Sequence, residues 1–336
     1  MKKLLNYYIK KRWHTTFIIT LILSLFVFIN YYDAYFILDY GDGKLRAMND
    51  PVNTFIIFAS LLCTLIPIVE FKFKMDKISI DQMYSLPVKR EKLYLAKYIF
   101  GLLEIVIPIT ISYLLCFIMI ITQDNIFVLI HFLTFYLALL GCILLLYTTI
   151  SFIFTRTNTT LDGIINIFAY IFVLLPVVSL IFDMFNVSLK DGDPSWFFLY
   201  SPMTRTSVLF SSLISNETVE YISMDLTMYI TFTVIGILSF ILFVILNKKE
   251  KAENSTQISN SFFSYRTLIP LYYISLTIIL MKEATDIIIF FLLTVTLYTA
   301  YTIYKRTIKL KKRDYIILIL CVVIGIISGL IYDAIF

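Results

Sequence analysis

Charge is what this sequence has least of. Charged residues make up 15% of its 336 positions, while 60% are hydrophobic; a soluble domain carries about 25% charged residues. With a mean hydropathy of +0.87, one large soluble globule is excluded. Glycine (9) and proline (8) are also scarce, which leaves no low-complexity or linker-like block of any length. The four cysteines, Cys63, Cys116, Cys142 and Cys321, all fall within apolar runs and form no CxxC pair. They read as small buried hydrophobes rather than as a metal or redox site. Only two histidines occur, His14 and His131. There is no HExxH, no paired-carboxylate motif in the apolar runs and no GxxxxGK[ST] phosphate-binding loop. Without that loop the chain has no means of hydrolysing ATP by the usual route. It is therefore not expected to be an enzyme or to hold a cofactor of its own, and nucleic acid is not an expected partner.

What the sequence has instead is nine apolar segments, near 15–32, 52–69, 98–122, 126–154, 163–185, 227–246, 267–281, 287–304 and 315–335. Runs of this length suit membrane spans. In hydrocarbon every backbone polar group must be satisfied within the segment, so helices are the default. The expected fold is an all-α polytopic membrane protein. The basic start at Met1-Lys2-Lys3 is followed by a second cluster, Lys10-Lys11-Arg12, and by an apolar run with no small-x-small cleavage site. It reads as a retained first span rather than a cleaved signal. Residues 1–13 form an amphipathic piece that either lies on the inner leaflet or simply flanks that span.

Lysine and arginine in the connections set the orientation. With the N-terminus inside, all of the 28 basic residues except Lys44, Arg46, Lys190, Arg205 and Lys282 fall on the inner side. That arrangement predicts a multi-pass plasma-membrane protein with a cytoplasmic N-terminus. The short segments 267–281 and 287–304 then cross together as a hairpin or not at all. Two outer stretches, 33–51 and 186–226, are longer. The second contains Trp196 to Pro202 and an apolar 208–214 run, and it is expected to fold back onto the outer face.

The most informative stretch lies between the second and third segments. Ile78, Ile80, Met83, Tyr84 and Leu86 are apolar positions near helical spacing, and Asp76, Asp81 and Gln82 are polar ones. Ser85 can cap the next turn, and Pro87 suits a helix start because its missing N–H is harmless there. A short surface helix over about 76–86, an elbow at Leu86-Pro87 and a rigid continuation from Val88 into the third span are predicted. Such an insert suits a chain that takes force from a soluble partner. Among the acidic residues only Glu104 lies clearly inside a span. A charge at a span centre costs about 2.5–3.5 kcal/mol on insertion scales, so Glu104 is either paired with a basic residue near the interface or used in gating or substrate contact. Tyr136, Tyr147 and Tyr170 are further candidates for a substrate path. Gly325 to Gly329 is a GxxxG match, suited to close helix packing within the chain or between two copies.

The 70–97 stretch resembles the cytoplasmic loop of ABC-2 type transporter permeases. The resemblance is carried by Glu70 near the end of the second span, the segment around Ile78 to Ser85, the Leu86-Pro87-Val88 element, Arg90, and Lys97 at the start of the third span. It implies a six-helix core over residues 1–246, a cytoplasmic linker over 247–266 and about three extra membrane segments over 267–336. It is similar in this length to permeases of Gram-positive peptide and lantibiotic-defence exporters, including those resembling the phenol-soluble modulin exporter. The resemblance implies an ATP-driven exporter of amphipathic or hydrophobic substrates. Two permeases would face each other, embedded in membrane lipid, and cytoplasmic ABC ATPase subunits holding ATP and Mg would dock on the coupling helices. Glu70, Ile80, Met83, Tyr84, Leu86, Pro87, Arg90 and Lys97 would carry that coupling. The other readings are an ion-coupled secondary transporter, which would turn on Glu104, and a non-transporting sensor or assembly protein that binds an ATPase.

Overall fold

The computed structural model describes residues 2–33, 50–121, 129–171, 203, 206, 220–259, 261–283 and 287–335. Every regular element among them is helical. The helices are α1 (Lys2–Asp33), α2 (Asp50–Phe71), α3 (Lys77–Tyr84), α4 (Arg90–Ile121), α5 (Leu129–Thr155), α6 (Thr160–Ile171), α7 (Glu220–Lys248), α8 (Tyr265–Glu283), α9 (Ile287–Lys305) and α10 (Lys312–Ile335). The apolar segments read from the sequence thus become helices, and the expected short insert becomes α3. Of the fifth segment only the part within α6 is described. The outer stretches 34–49 and 186–202, the 208–214 run and Asp183 lie outside the described residues.

Among the described residues five helices are long and apolar enough to cross a membrane: Leu4–Ile29, Thr54–Met75, Arg90–Met119, Phe132–Thr155 and Ile230–Lys248. The packing agrees with that environment. Along α1, Phe17, Leu21, Leu25, Phe28 and Ile29 stand about half exposed, a continuous apolar stripe that a soluble protein avoids. The described part of the protein is therefore all-helical and compatible with spanning a membrane.

The chain folds as two compact units. The first comprises residues 1–155 and 200–252, and the second residues 156–199 and 253–336. This grouping cuts across the division at residue 246 suggested by the sequence.

In the first unit α4 is the hub. It packs on α1, α2, α5 and α7, and α5 packs in turn on α2 and α7. Aromatic rings fill the junction. Phe71 lies 5.4 Å from Phe243 edge-on, and Tyr98 lies 5.1 Å from Tyr147 and 5.5 Å from Phe243. Pairs of this kind contribute ~0.5–1.5 kcal/mol beyond the area they bury. Small residues let the helices close up: Ala59, Cys63 and Ala96 are wholly buried. All four cysteines are buried and free, as the sequence led one to expect.

In the second unit α8 packs on α10 and α9. Tyr273, Leu297, Tyr301, Tyr304, Leu318 and Cys321 form its core. Gly325 faces Thr277 so closely that an added Cβ would overlap the threonine hydroxyl. One end of the GxxxG match therefore serves packing within the chain. The polar linker between α7 and α8 is laced to the segment around α6. Ser259 Oγ donates to the Arg156 carbonyl (2.6 Å), Thr256 N–H to the Asn158 carbonyl (2.9 Å) and Tyr170 OH to the Phe263 carbonyl (3.1 Å). These bonds explain why residues 156–171 group with the C-terminal helices.

Candidate coupling site

Helix α3 begins where its sequence says it should. Asp76 is extended and its carboxylate accepts from Ser79 N–H (3.2 Å) and Ser79 Oγ (2.5 Å), which satisfies an otherwise orphaned first-turn donor. The Ser79 hydroxyl, followed by the Ser79 N–H, holds the Asp76 carboxyl below its ordinary range. The helix ends at Tyr84; Ser85 N–H bonds the Asp81 carbonyl (3.0 Å) and Ser85 Oγ the Gln82 carbonyl (2.8 Å). The expected span of about 76–86 is therefore two residues longer than the helix at its C-terminal end. α4 starts at Arg90 rather than Val88, with Leu93 N–H bonded to the Lys89 carbonyl (3.1 Å). Pro87 sits in the exposed elbow ahead of α4, where the lack of an N–H costs nothing.

The faces of α3 are sharply unequal. Ile80 is buried, and Met83 and Tyr84 are half-buried. Tyr8 OH meets Met83 Sδ (3.7 Å), and the Tyr84 hydroxyl lies 3.2 Å from that of Tyr94. Burial pushes the Tyr84 phenol above its ordinary pKa. The Arg90 guanidinium stacks 4.6 Å over the Tyr84 ring and donates to the Glu250 carbonyl (2.6 Å). Two ion pairs tie the same region to the end of α7: Lys248 with Glu91 (2.7 Å) and Lys74 with Glu250 (3.0 Å). On the other side, Ile78 is 70% and Leu86 38% exposed. The short helix thus grips the bundle with one face and leaves Ile78 bare on the other, with the exposed Leu86 following in the elbow.

Behind α3, three helices meet at a buried ion cluster. Glu70, at the end of α2, is almost wholly buried and takes Arg12 of α1 on Oε1 and Lys97 of α4 on Oε2 (3.5 Å). Lys97 Nζ also donates to the Glu70 carbonyl (3.1 Å), and it lies 4.7 Å from the Phe73 ring. Arg12 reaches Glu104 as well (3.7 Å), and Thr15 Oγ1 donates to the same carboxylate (2.9 Å). Two carboxylates and two cations balance, which is the condition for keeping charge out of water. Arg12 gets its position from a break in α1. Its own φ is −123° and ψ 15°, and the Thr15 hydroxyl takes up its carbonyl (2.6 Å).

Of the residues singled out from the sequence, Glu70, Lys97 and Glu104 come together. Ile80, Met83, Tyr84 and Arg90 line the inner side of α3, and Leu86 and Pro87 lie exposed beside it. The three path tyrosines have separate surroundings. Tyr147 is fully buried and donates to the Tyr98 carbonyl (3.1 Å), Tyr136 pairs with Thr110 Oγ1 (2.7 Å), and Tyr170 belongs to the second unit. The sequence reading placed Arg12 in a basic flank and overlooked Gly101. A Cβ on Gly101 would overlap the Tyr147 hydroxyl and stand 3.2 Å from Glu70 Cγ. The spacing Lys97, Gly101, Glu104 puts all three on one face of α4 and is a signal that could have revealed the site. Among the described residues no group of His, Cys, Asp and Glu side chains is arranged to hold a metal ion. Comparison with family models, with curated proteins and with solved structures gives no match.

Proposed function

We propose that this chain is the membrane permease subunit of an ATP-driven exporter of the ABC-2 type, moving amphipathic or hydrophobic substrates such as peptides or lipids. The observation that carries the reading is α3. It is a capped eight-residue helix between two long apolar helices, anchored by Ile80 and Tyr84 and presenting Ile78, with Leu86 exposed in the elbow that follows. Two exposed aliphatic residues on a rigid support suit a groove on a soluble partner. In this reading that partner is an ATPase subunit, which supplies ATP and Mg. Its movement passes through Arg90 and Tyr84 into α4, and through the Glu70 cluster into α1 and α2. A second permease copy completes the path.

An ion-coupled transporter needs a carboxylate free to exchange its ion. Glu70 and Glu104 are both engaged by cations of the chain itself, which favours bracing over ion exchange. The test is purification of the tagged chain in mild detergent with its neighbouring genes co-expressed. A P-loop ATPase is expected in stoichiometric amount, and the double change Ile78→Asp with Leu86→Asp should remove it without reducing the amount of chain in the membrane. Purification of the chain alone, or retention of the ATPase by the double variant, counts against the proposal.

A further inference from the structure

The second unit encloses a cavity of about 340 Å³, at the small end of the range for ligand sites. Its walls include Ala169 of α6, Leu268 and Tyr272 of α8, and Leu293, Ala300 and Ile303 of α9. They are overwhelmingly hydrocarbon. Several hydroxyls of the lining are already engaged within the unit. Tyr265 OH donates to the Asp162 carbonyl (3.3 Å), Tyr304 OH to the Ser259 carbonyl (2.7 Å), and Tyr273 OH pairs with Thr294 Oγ1 (3.3 Å). A sugar, nucleotide or other strongly polar solute would find few groups to bond within, chiefly the Tyr272 hydroxyl and the Asp162 carboxylate. A hydrocarbon chain would lose nothing by entering.

The mouth is defined by element ends. α6 begins there, α8 begins there and α9 ends there, as the 5.4 Å approach of the Tyr265 and Tyr304 rings and the Arg306–Asp162 pair (3.3 Å) require. Charge at this end is unbalanced. Asp162 is neutralised by Arg306, and Asp314 by Lys305 (3.5 Å). Arg266, in the first turn of α8, and Lys309 are exposed and have no carboxylate partner among the described residues. Lys311, Lys312 and Arg313 add to the same sign. A cationic amphiphile is disfavoured by this excess, and an anionic one is attracted.

We infer that the cavity is a lipid site: it takes one acyl chain of an anionic phospholipid, whose headgroup lies at the Arg266 end. The inference rests on the membrane embedding of the chain and not on the exporter reading. The occupant therefore comes from the surrounding bilayer and is bound without ATP.

The experiment uses the full chain in lipid nanodiscs containing a trace of phosphatidylglycerol or phosphatidylcholine, each with the same photoreactive acyl chain, and maps the labelled residues by mass spectrometry. Phosphatidylglycerol should label the α8 and α9 lining residues several-fold more than phosphatidylcholine does. Arg266→Gln with Lys309→Gln should reduce it to the phosphatidylcholine level, and Ala300→Trp should abolish it by filling the space. Should Ala300→Trp fail to fold, Ala169→Leu fills the same cavity from α6, and the double glutamine variant leaves the walls untouched. Equal labelling by the two lipids would make this an ordinary lipid contact and overturn the inference. So would an unlabelled lining with both, the result expected if a protein segment occupies the cavity.

Discussion

The two units solve the same problem with different chemistry. The first buries full charges. Arg12, Glu70, Lys97 and Glu104 join three helices, each helix holding at least one member. The second is sewn mainly by neutral bonds to main-chain carbonyls, from Ser259, Tyr170, Tyr265 and Tyr304; it too buries Arg156 and Asp314, but no cluster of paired carboxylates and cations joins its helices among the described residues. Buried charge is intolerant of partial loss, because a missing partner strands the other in low dielectric. A carbonyl that loses one donor loses ~0.5–1.5 kcal/mol. The first unit is therefore built to keep one register, and the second leaves room for a cavity within its helices.

The largest effect expected follows from that contrast. Lys97→Met leaves Glu70 short of a cation and should destabilise the chain by about 3–5 kcal/mol, read as a lower midpoint in detergent thermal unfolding. Adding Glu70→Leu would strand Arg12 only in part, since Glu104 remains. The double variant should thus recover stability relative to the sum of the singles; strict additivity would show that the cluster does not act as a unit. Next come two of the close-approach glycines. Gly101→Ala and Gly325→Ala should each cost about 1–3 kcal/mol through overpacking. Thr277→Ala should rescue the second, because the overlap there is with one short side chain. Tyr147→Phe should relieve the first incompletely, because Glu70 Cγ remains in the way. In the second unit Tyr304→Phe removes a single donor from the Ser259 carbonyl and should cost ~1 kcal/mol, a deficit visible in the same unfolding measurement.

The smallest effect concerns Asp76. Its carboxyl pKa is depressed in the folded chain, so the stabilisation it gives α3 is present above the ordinary carboxylate pKa. It is lost as pH falls through the lower, folded value. Amide exchange at Ser79 and Ile80 should accelerate only at the acid end of that window, and Asp76→Ala should remove the pH dependence. An unchanged profile in that variant would discount the cap.

Most of the helices were legible because an apolar run of span length has few alternatives. The described helices extend those runs by their polar ends: α1 carries the amphipathic piece as its first turns, bent at Arg12. The start of α3 near Asp76 and the elbow at Leu86-Pro87 were legible, while Ser85, read as a cap for the following turn, closes α3 instead, and α4 starts two residues later than expected. Arg12 was not legible as a partner of Glu70 and Glu104. Helix periodicity tells which residues share a face, but it carries no information on the register between different helices. The burial of the linker was not legible for a different reason. Its polar composition gives no sign that Ser255, Ser259 and Ser264 are buried. Hydroxyls that can bond a carbonyl are as useful inside as out, and composition alone does not separate the two.

The position of Arg12 has a consequence for how the protein is made. Glu70 leaves the ribosome 58 residues after it, and Glu104 later still. Glu104, well inside α4, is a burden for the insertion machinery, up to about 2.5–3.5 kcal/mol at mid-helix, and Glu70, at the end of α2, a smaller one. With the first helix already threaded, both meet a guanidinium that has arrived before them. The counter-ion is laid down ahead of the charges it must receive, so the order of synthesis and the order of pairing coincide. A lesion at the start of the chain would then be felt as faulty integration of the helices that follow.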